Sequence, residues 1–447
     1  MSIENEINSA RVFCTNGTKQ TEEARSMNWV ERTIWTDRML EALSKGVKGD
    51  VWFSLIDKVY RPTTLHLAWK AVRRNRGSAG VDHESVERFE QRLEENIARL
   101  SDELRTGIYR PRPIKRVYID KPGSKEKRPL GIPVVRDRVV QSAIRLVIEP
   151  IFEKEFKDHS YGFRPNRGCK DALREVNRLL KAGYTYVVDA DLKAYFDSIP
   201  HDRLMQEVRR YIADSRLLGL IERYLSQDIL EGMSRWTPEG GTPQGAVISP
   251  LLANLYLHPV DEAMETAGYH MIRYADDFVI CCRDEAEAEK ALQKVRQLVT
   301  ERGLVLHPEK TRVVDTTKAG EGFDFLGYHF ERGTRWPRKK SLKKLKDSIR
   351  TQTGRSNGNS LTVITANVNR TLKGWFEYFK HSHKWTFPVL DGWIRRRLRS
   401  ILRKRSKRVK GISGNMDHFR WPNKFFQEIG LFSLEDAHAL LLQSSRR

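Results

Sequence analysis

The stretch YHMIRYADDFVICCR, residues 269–283, decides the fold of this chain. Two short, mostly apolar runs flank Asp276 and Asp277, a pattern typical of a tight β-hairpin. Burying two adjacent carboxylates costs several kcal/mol unless a cation or a raised pKa compensates. A hairpin turn that holds a divalent metal beside a cleft would meet this cost, whereas an isolated Asp-Asp pair is more often a solvated turn.

A second stretch favours the metal site. Residues 184–192, YTYVVDADL, read as a buried strand that carries Asp191 near its end. Phosphoryl transfer by two metal ions uses carboxylates from different strands, and Asp191 together with the hairpin pair supplies them. Asp189 lies two residues earlier on the same strand face, so the strand pattern alone does not exclude it as a ligand.

Strands and helices alternate along the rest of the body, which predicts an α+β domain. Helices are predicted within 61–110 around the loop 77–82, over 134–156 with amphipathic spacing, from His201 onward, and over 284–302 before Gly303. Further strands are predicted in RPIKRVYIDKP and PLGIP around a basic turn, at Leu304–Leu306 and at Phe323–Phe330.

The charge of the chain is concentrated in one segment. The net charge is +22, and residues 331–410 alone carry 24 Lys+Arg against 4 Asp+Glu. Such an excess indicates a polyanionic partner, usually nucleic acid. The step in charge predicts a domain boundary near residue 331.

Other classes of protein are disfavoured. The sequence has no run of eighteen apolar residues and begins with a polar segment, which argues against a membrane span or signal peptide. Cys14, Cys169, Cys281 and Cys282 do not form the paired spacing of a zinc ribbon. We therefore expect a reduced cytoplasmic protein without structural zinc.

Several segments resemble the palm motifs of reverse transcriptases in order and spacing: VVDADLKAYFDSIPH, GGTPQGAVISPLLANLYL, IRYADDFVI, GLVLHPEKT and FDFLGYHF. IDKPGSKEKRPLGIPVVRDRVVQ and HSYGFRPNRGCKDAL resemble fingers motifs of the bacterial group II intron-encoded proteins. The resemblance covers about residues 75–330. It implies a right-hand polymerase with fingers, a palm built on an antiparallel sheet, and a helical thumb.

The resemblance also implies roles for individual residues. Asp191, Asp276 and Asp277 are expected to be catalytic ligands of two Mg²⁺ ions, for which Mn²⁺ can substitute. Tyr195 is expected to lie beneath the incoming sugar, where an aromatic ring leaves no room for a 2′-hydroxyl. Phe196, which strand alternation points to the opposite face, is the second candidate for this gate.

Other residues are expected to bind the nucleotide or the primer. Gln244, between Pro243 and Gly245, is expected to pack against the nucleotide. Three cations are also assigned to the nucleotide site: Lys121 and Arg128, which would neutralise the triphosphate, and Lys310, whose role stays unassigned. Tyr274 is expected to contact the primer end.

The basic segment is predicted to be helical. Leu372, Trp375, Phe376 and Phe379 share one helix face, which is expected to be apolar core. NRTLKGWFEYFKH resembles the maturase motif that follows the palm in group II intron proteins and forms the thumb. Arg395, Arg396, Arg397 and Arg399 are predicted to bind RNA. The optional C-terminal nuclease of that family, with its cysteine pairs, is not expected here.

These inferences give one functional hypothesis. The chain is expected to be an RNA-directed DNA polymerase that binds its group II intron RNA as a maturase, aids splicing and copies the intron at its target DNA. The expected partners are intron RNA, an RNA template with a DNA primer, target DNA and dNTPs, in a bacterial cytoplasm with nucleoid association. The expected domains are an N-terminal helical extension (1–60), fingers (61–180), palm (181–330), thumb and maturase domain (331–410) and a small C-terminal module, a candidate DNA-binding unit (411–447).

Three alternatives stay open. A palm polymerase that makes RNA is disfavoured by the aromatic residue at 195 and by the alanine of YADD. A splicing cofactor with a silent polymerase site is disfavoured by the complete set of acids. A reverse transcriptase domesticated for repair or defence is not distinguished from an intron protein by the sequence.

Overall fold

A computed structural model of the chain describes residues 28–120, 127–406 and 416–444. Its helices are α1 (Asp37–Lys45), α2 (Ile56–Val59), α3 (Pro62–Asn75), α4 (Val86–Gln91), α5 (Leu93–Thr106), α6 (Val135–Glu155), α7 (Cys169–Lys181), α8 (Tyr195–Ser198), α9 (His201–Arg209), α10 (Ser215–Leu225), α11 (Ser249–Thr266), α12 (Glu285–Glu301), α13 (Lys339–Gln352), α14 (Leu361–Phe379), α15 (Thr386–Arg405), α16 (Asp417–Arg420), α17 (Asn423–Glu428) and α18 (Leu434–Ser444), with a short 3-10 helix at Lys48–Asp50. Its strands are β1 (Ile114–Asp120), β2 (Lys127–Ile132), β3 (Tyr186–Asp191), β4 (Ile229–Glu231), β5 (Ser234–Trp236), β6 (His270–Tyr274), β7 (Asp277–Cys282), β8 (Arg312–Asp315), β9 (Phe323–Phe325), β10 (Tyr328–Glu331) and β11 (Thr334–Pro337).

The central sheet is antiparallel, in the order β6-β7-β3-β8. Its inner strands are apolar because both faces are covered, and Val187, Val188, Val279 and Ile280 are each fully buried. Burial of such a side chain contributes about 1.5–3 kcal/mol. The sheet confirms the predicted strand at 184–192 and the predicted hairpin, whose strands flank a two-residue turn, Ala275-Asp276.

A second sheet has the strand order β2-β1-β4-β5. The antiparallel pair β1–β2 confirms the predicted strand–turn–strand unit. Its basic turn, including Lys121, lies outside the described residues. The described part of the predicted N-terminal extension packs on the body, since Trp35 is fully buried and donates its indole N–H to the carbonyl of Leu146.

Helix α6 confirms the helix predicted over 134–156, but it is buried on most sides rather than amphipathic. Its polar residues are buried with partners: Asp137 accepts hydrogen bonds from the Tyr109 hydroxyl at 2.5 Å and the Arg112 amide at 2.8 Å. The polar stripe therefore faces other elements of the protein and not water.

Two strand predictions need correction. Residues Leu304–Leu306 form only an isolated bridge, Leu192 to Leu306, and the edge strand of the central sheet is β8. The segment pairs with residues 191–193 through the hydrogen bonds Lys193 N–H to Val305 C=O and His307 N–H to Asp191 C=O, and the pairing stops there because β3 ends at Asp191 and the chain turns at Ala194. The predicted strand Phe323–Phe330 is two strands, β9 and β10, separated by Leu326 and Gly327, both with positive φ.

Helices α13–α15 confirm the predicted helical tail. Leu372 and Phe379 of α14 are buried, and Trp375 and Phe376 pack against the same cores, as predicted. Phe426 and Leu434 belong to the core of these helices, so the described residues 416–444 pack on the thumb helices and not apart from them. The predicted boundary at 331 falls inside the hairpin β10–β11, and the first thumb helix begins at Lys339.

None of the helices in the described ranges is both long and apolar enough to cross a bilayer.

Candidate active site

The pairing register of the central sheet brings the three predicted aspartates together. Asp191, the last residue of β3, lies opposite Asp277, the first residue of β7. Asp276 is the adjacent turn residue of the β6–β7 hairpin. The three carboxylates therefore share one end of the sheet, on two neighbouring strands, as two-metal chemistry requires.

These carboxylates repel one another. Burial and, after it, the nearby carboxylates of Asp189, Asp276 and Asp191 together raise the pKa of Asp277 to about 7. Burial likewise raises the pKa of Asp276 and, to about 6, that of Asp189. Their negative charge is therefore poorly compensated by the protein itself.

Two cations partly offset this charge. The Nζ of Lys310 donates to Oδ2 of Asp191 at 2.6 Å, and the Nε of Arg312 lies 3.6 Å from Oδ2 of Asp189. Lys310 thus reaches the cluster of acids, and Asp189 has a partner of its own on β8.

These aspartate side chains are of the kind that binds a divalent cation, because Mg²⁺ prefers carboxylate oxygens as ligands. The pKa of Asp277, raised by burial and by neighbouring carboxylates, also indicates that its negative charge is not compensated by the protein. In the part of the chain that the structure describes, no three His, Cys, Asp or Glu side chains already converge as a metal site. The carboxylate of Asp191 is bonded to Lys310 instead.

The structure argues against the predicted position of Tyr195. Its ring is 2% exposed, and its hydroxyl donates to the carbonyl of Ala253 at 2.5 Å, so the side chain is part of the core. Ala194 has a φ of 48°, which turns the chain after β3, and strand alternation does not extend to residue 195. Phe196 is the more exposed of the two rings, at 9%.

The loop around Gln244 is held against β2. The Nε of Arg128 donates to Oε1 of Gln244 at 2.9 Å, and the amide of Gly131 donates to the Gln244 carbonyl at 2.6 Å. Gly245 has a φ of 106°, and a Cβ there would lie 2.3 Å from the Gly131 carbonyl oxygen. The close approach therefore requires glycine, and it brings Arg128 and Gln244 together. Their role in binding a nucleotide stays a prediction.

Sequence reasoning missed Asp197. Its Oδ2 accepts from Nε2 of Gln244 at 3.3 Å, which orients the amide so that Oε1 faces Arg128. Asp197 stands two residues after Tyr195, and its only signal in the sequence is its place in the segment AYFDS.

Tyr274 is the last residue of β6, and its side chain contacts Cys169 at the start of α7. Its ring centroid is 6.2 Å from that of Phe163, which is exposed. Burial and a hydrogen bond with the Cys169 thiol raise the pKa of Tyr274 to about 12. The phenol is therefore neutral, and contact with a primer stays a prediction.

Three of the four arginines predicted to bind RNA, Arg395, Arg396 and Arg399, line one cavity on the thumb, and Arg397 is not among its lining residues. Arg397 donates to the hydroxyl and the carbonyl of Thr353, and Arg399 donates to the Trp421 carbonyl and to Asn423. Arg396 is exposed and Arg395 is half-buried. Arg397 and Arg399 therefore also contribute to contacts within the thumb, and RNA binding by the four arginines stays a prediction.

Comparison with known proteins agrees with this architecture. Residues 119–330 match the family model described as reverse transcriptase (RNA-dependent DNA polymerase). Residues 342–421 match the group II intron, maturase-specific domain.

Individual relatives are similar over parts of the chain. The chain is 36% identical to the group II intron-encoded protein LtrA of Lactococcus lactis subsp. cremoris over 232 residues, which is 51% of this chain and 38% of LtrA. It is 35% identical to protein YkfC of Escherichia coli K12 over 293 residues, which is 57% of this chain and 76% of YkfC. The matched region thus spans well under half of LtrA but most of YkfC. The chain belongs to the family of reverse transcriptases encoded by group II introns.

Proposed function

We propose that the chain is an RNA-directed DNA polymerase that also binds group II intron RNA as a maturase. The observation that carries the polymerase part is the register that sets Asp191 opposite Asp277, beside Asp276 in the turn. Uncompensated carboxylates at the end of a sheet, next to an arginine–glutamine pair on an adjoining loop, suit a metal-bound nucleoside triphosphate.

Asp191, Asp276 and Asp277 would hold two Mg²⁺ ions, with Mn²⁺ as a substitute. When bound, the ions supply activation of the primer 3′-hydroxyl and stabilisation of the leaving pyrophosphate. In the free protein Lys310 neutralises the carboxylate of Asp191. Once separated from Asp191, the Lys310 ammonium group would be available to neutralise phosphate charge. Asp189 keeps Arg312 as its partner and is not assigned as a ligand.

The nucleotide pocket would be formed by Arg128, Gln244 and Phe196, with Lys121 on the turn between β1 and β2. Arg128 would contact the triphosphate, because a guanidinium binds phosphate oxygens in a bidentate manner. We assign the gate against the 2′-hydroxyl to Phe196, since the hydroxyl of Tyr195 is already bonded in the core.

The maturase part rests on the basic segment 331–410, which carries 24 Lys+Arg against 4 Asp+Glu. Neutralising several phosphates releases counterions, so binding to a folded RNA should be strong and salt-dependent. The remaining proposed partners are an RNA template with a DNA primer, target DNA and dNTPs, in a bacterial cytoplasm with nucleoid association. The proposed division is fingers, palm and thumb, with residues 416–444 attached to the thumb.

A paired assay tests this proposal. Asp191→Asn should abolish extension of a DNA primer on an RNA template, while affinity for a group II intron RNA stays within about twofold, because the thumb cations are untouched. Wild-type protein that binds the intron RNA but extends no primer would identify a splicing cofactor only. Wild-type protein that extends primers and binds intron RNA no better than an unrelated structured RNA would remove the maturase assignment.

A further inference from the structure

Arg273 is the one charged side chain in the predicted hairpin run before the aspartates, and it is completely buried. It lies on β6, two residues before the turn. Its Nε donates to Oδ1 of Asp261 at 2.8 Å and its Nη2 to Oδ2 at 2.5 Å, and Asp261 on α11 is itself fully buried.

A third nitrogen of the same guanidinium reaches the turn. Nη1 of Arg273 donates to the carbonyl of Ala275 at 3.0 Å and to Oδ1 of Asn254 at 2.9 Å. The Nδ2 of Asn254 donates in turn to the carbonyl of Gly162 at 2.6 Å. Asp261 and Asn254 both lie on α11, so this helix holds the turn through Arg273.

The turn is held from a second direction. A Cβ on Gly162 would lie 2.3 Å from the Ala275 amide nitrogen and 2.9 Å from the Tyr274 carbonyl carbon, so the fingers backbone lies directly on the turn. Ala275 has a φ of 59°, a left-handed conformation that a non-glycine residue keeps only when its surroundings enforce it. The residue before Asp276 is therefore clamped between Gly162 and Arg273.

This contact is not explained by stability alone. A buried ion pair is often replaced by apolar residues with little or no loss of stability, because its desolvation cancels its attraction. The pair here also fixes the backbone next to carboxylates that must bind cations in a defined geometry.

We propose that Arg273, held by Asp261 and Asn254, is a positioning residue that fixes the Ala275–Asp276 turn so that Asp276 and Asp277 bind divalent cations. This inference rests on the proposed function of the two aspartates as metal ligands. Arg273 contacts neither metal nor substrate and acts through the backbone of Ala275.

The test uses the full chain with a chain-terminated DNA primer on an RNA template and the next dNTP. The double variant Arg273→Met/Asp261→Leu removes both charges, and Arg273→Lys keeps the charge but not the planar fork of donors. Arg138→Lys is the matched control, because Arg138 is also buried and donates to the carbonyls of Pro133 and Ser78, at 3.0 and 2.5 Å, away from the hairpin. The readouts are Mn²⁺ binding by electron paramagnetic resonance, amide hydrogen exchange of 269–283, and thermal unfolding.

We expect the double variant to unfold near the wild-type temperature, to bind Mn²⁺ about 10- to 100-fold more weakly, and to exchange faster in 269–283. Arg273→Lys should weaken Mn²⁺ binding in the same direction, and Arg138→Lys should not. A folded double variant with wild-type Mn²⁺ affinity and exchange would overturn the proposal. If the double variant does not fold, Arg273→Lys provides the test. A loss of Mn²⁺ affinity in Arg273→Lys that is no larger than the loss in Arg138→Lys would mean that Arg273 has a purely structural role.

Failure of the proposed function gives a different result. Mn²⁺ binding that is absent in the wild type, or unchanged by Asp277→Asn, would remove the aspartates from the metal site. The exchange of 269–283 would still report whether Arg273 holds the turn.

Discussion

At Asp277, burial and neighbouring carboxylates raise the pKa from 3.8 to about 7. Without metal, and at pH values between these two pKa values, Asp277 stays protonated in the folded protein but is ionised in the unfolded chain. The unfolded state then binds fewer protons, so the free energy of unfolding falls as the pH rises from about 4 to about 7. A bound divalent cation favours the ionised form and should reverse this loss.

Asp277→Asn tests this electrostatic argument. In EDTA at pH 8 the variant should be more stable than the wild type by up to a few kcal/mol, and the difference should shrink at pH 5. Denaturant unfolding at both pH values measures it, with Asp436→Asn at an exposed position of α18 as the control. A difference that is zero, or equal at both pH values, would show that Asp277 is not held in a repulsive site.

The gate against ribonucleotides can be assigned by a pair of substitutions. Phe196→Ala should raise the incorporation of ribonucleotides relative to deoxynucleotides, because it deletes the ring assigned to exclude the 2′-hydroxyl. Tyr195→Phe removes only the hydroxyl bonded to Ala253, so it should cost about 1–3 kcal/mol of stability and leave discrimination unchanged. Competitive incorporation of dNTPs and rNTPs measures both, and unchanged discrimination in Phe196→Ala would remove the gate from Phe196.

The sequence located some of the site residues and not others. Asp191, Asp276 and Asp277 were predictable because their strand patterns and motif spacing fix the register. Tyr195 was assigned by resemblance, and its burial follows from the turn at Ala194, whose positive φ alternation cannot anticipate. Asp197 was missed because its partner, Gln244, is distant in sequence and is reached only through the fold.

Secondary-structure predictions were confirmed for elements whose apolar residues follow one clear periodicity. They were wrong where contacts with the rest of the protein determine the conformation or the burial. Strand β3 and helix α12 match their patterns. Helix α6 reads as amphipathic, but its polar residues bond to buried partners, which no periodicity distinguishes from solvated ones. Residues Leu304–Leu306 have strand composition, but their pairing partner β3 ends at Asp191 and the chain turns at Ala194, so the pairing is limited to a single bridge.

The first thumb helix offers a better candidate RNA surface than the arginines of α15. Lys339, Lys340, Lys343 and Lys344 are exposed on α13, and their spacing puts them on one side of the helix. Within residues 28–120, 127–406 and 416–444 these lysines make no ion pair with the protein.

Changing Lys343 and Lys344 to glutamine should therefore weaken binding to intron RNA without a change in thermal unfolding. Removing one cation from a phosphate should flatten the log–log salt slope by about 0.7–0.9, so the double change gives about 1.5. The control is Lys181→Gln/Lys290→Gln, which removes equal charge from exposed positions on α7 and α12. Equal slope changes in the two double variants would mean that the RNA responds to net charge only.

The molecule consists of a nearly neutral body and a basic helical thumb. Side-chain contacts join the two in addition to the polypeptide connection. The hydroxyl of Tyr328 donates to the carbonyl of Tyr378, and the Nζ of Lys170 donates to Glu377 at 2.9 Å. The thumb therefore contacts both the palm hairpin and the helix that begins at Cys169. Charge composition located this segment to within about ten residues, but the hairpin β10–β11 belongs to the body, because its aromatic side chains pack there.

The central claim is that Asp191, Asp276 and Asp277, and not Asp189, hold the catalytic ions. Single-turnover addition of one dNTP to a DNA primer on an RNA template measures it most directly, in wild type, Asp277→Asn and Asp189→Asn. We expect a loss of at least about 1,000-fold in Asp277→Asn and less than about tenfold in Asp189→Asn, whose partner is Arg312. Comparable rates in Asp277→Asn and the wild type, or a greater loss in Asp189→Asn than in Asp277→Asn, would contradict it.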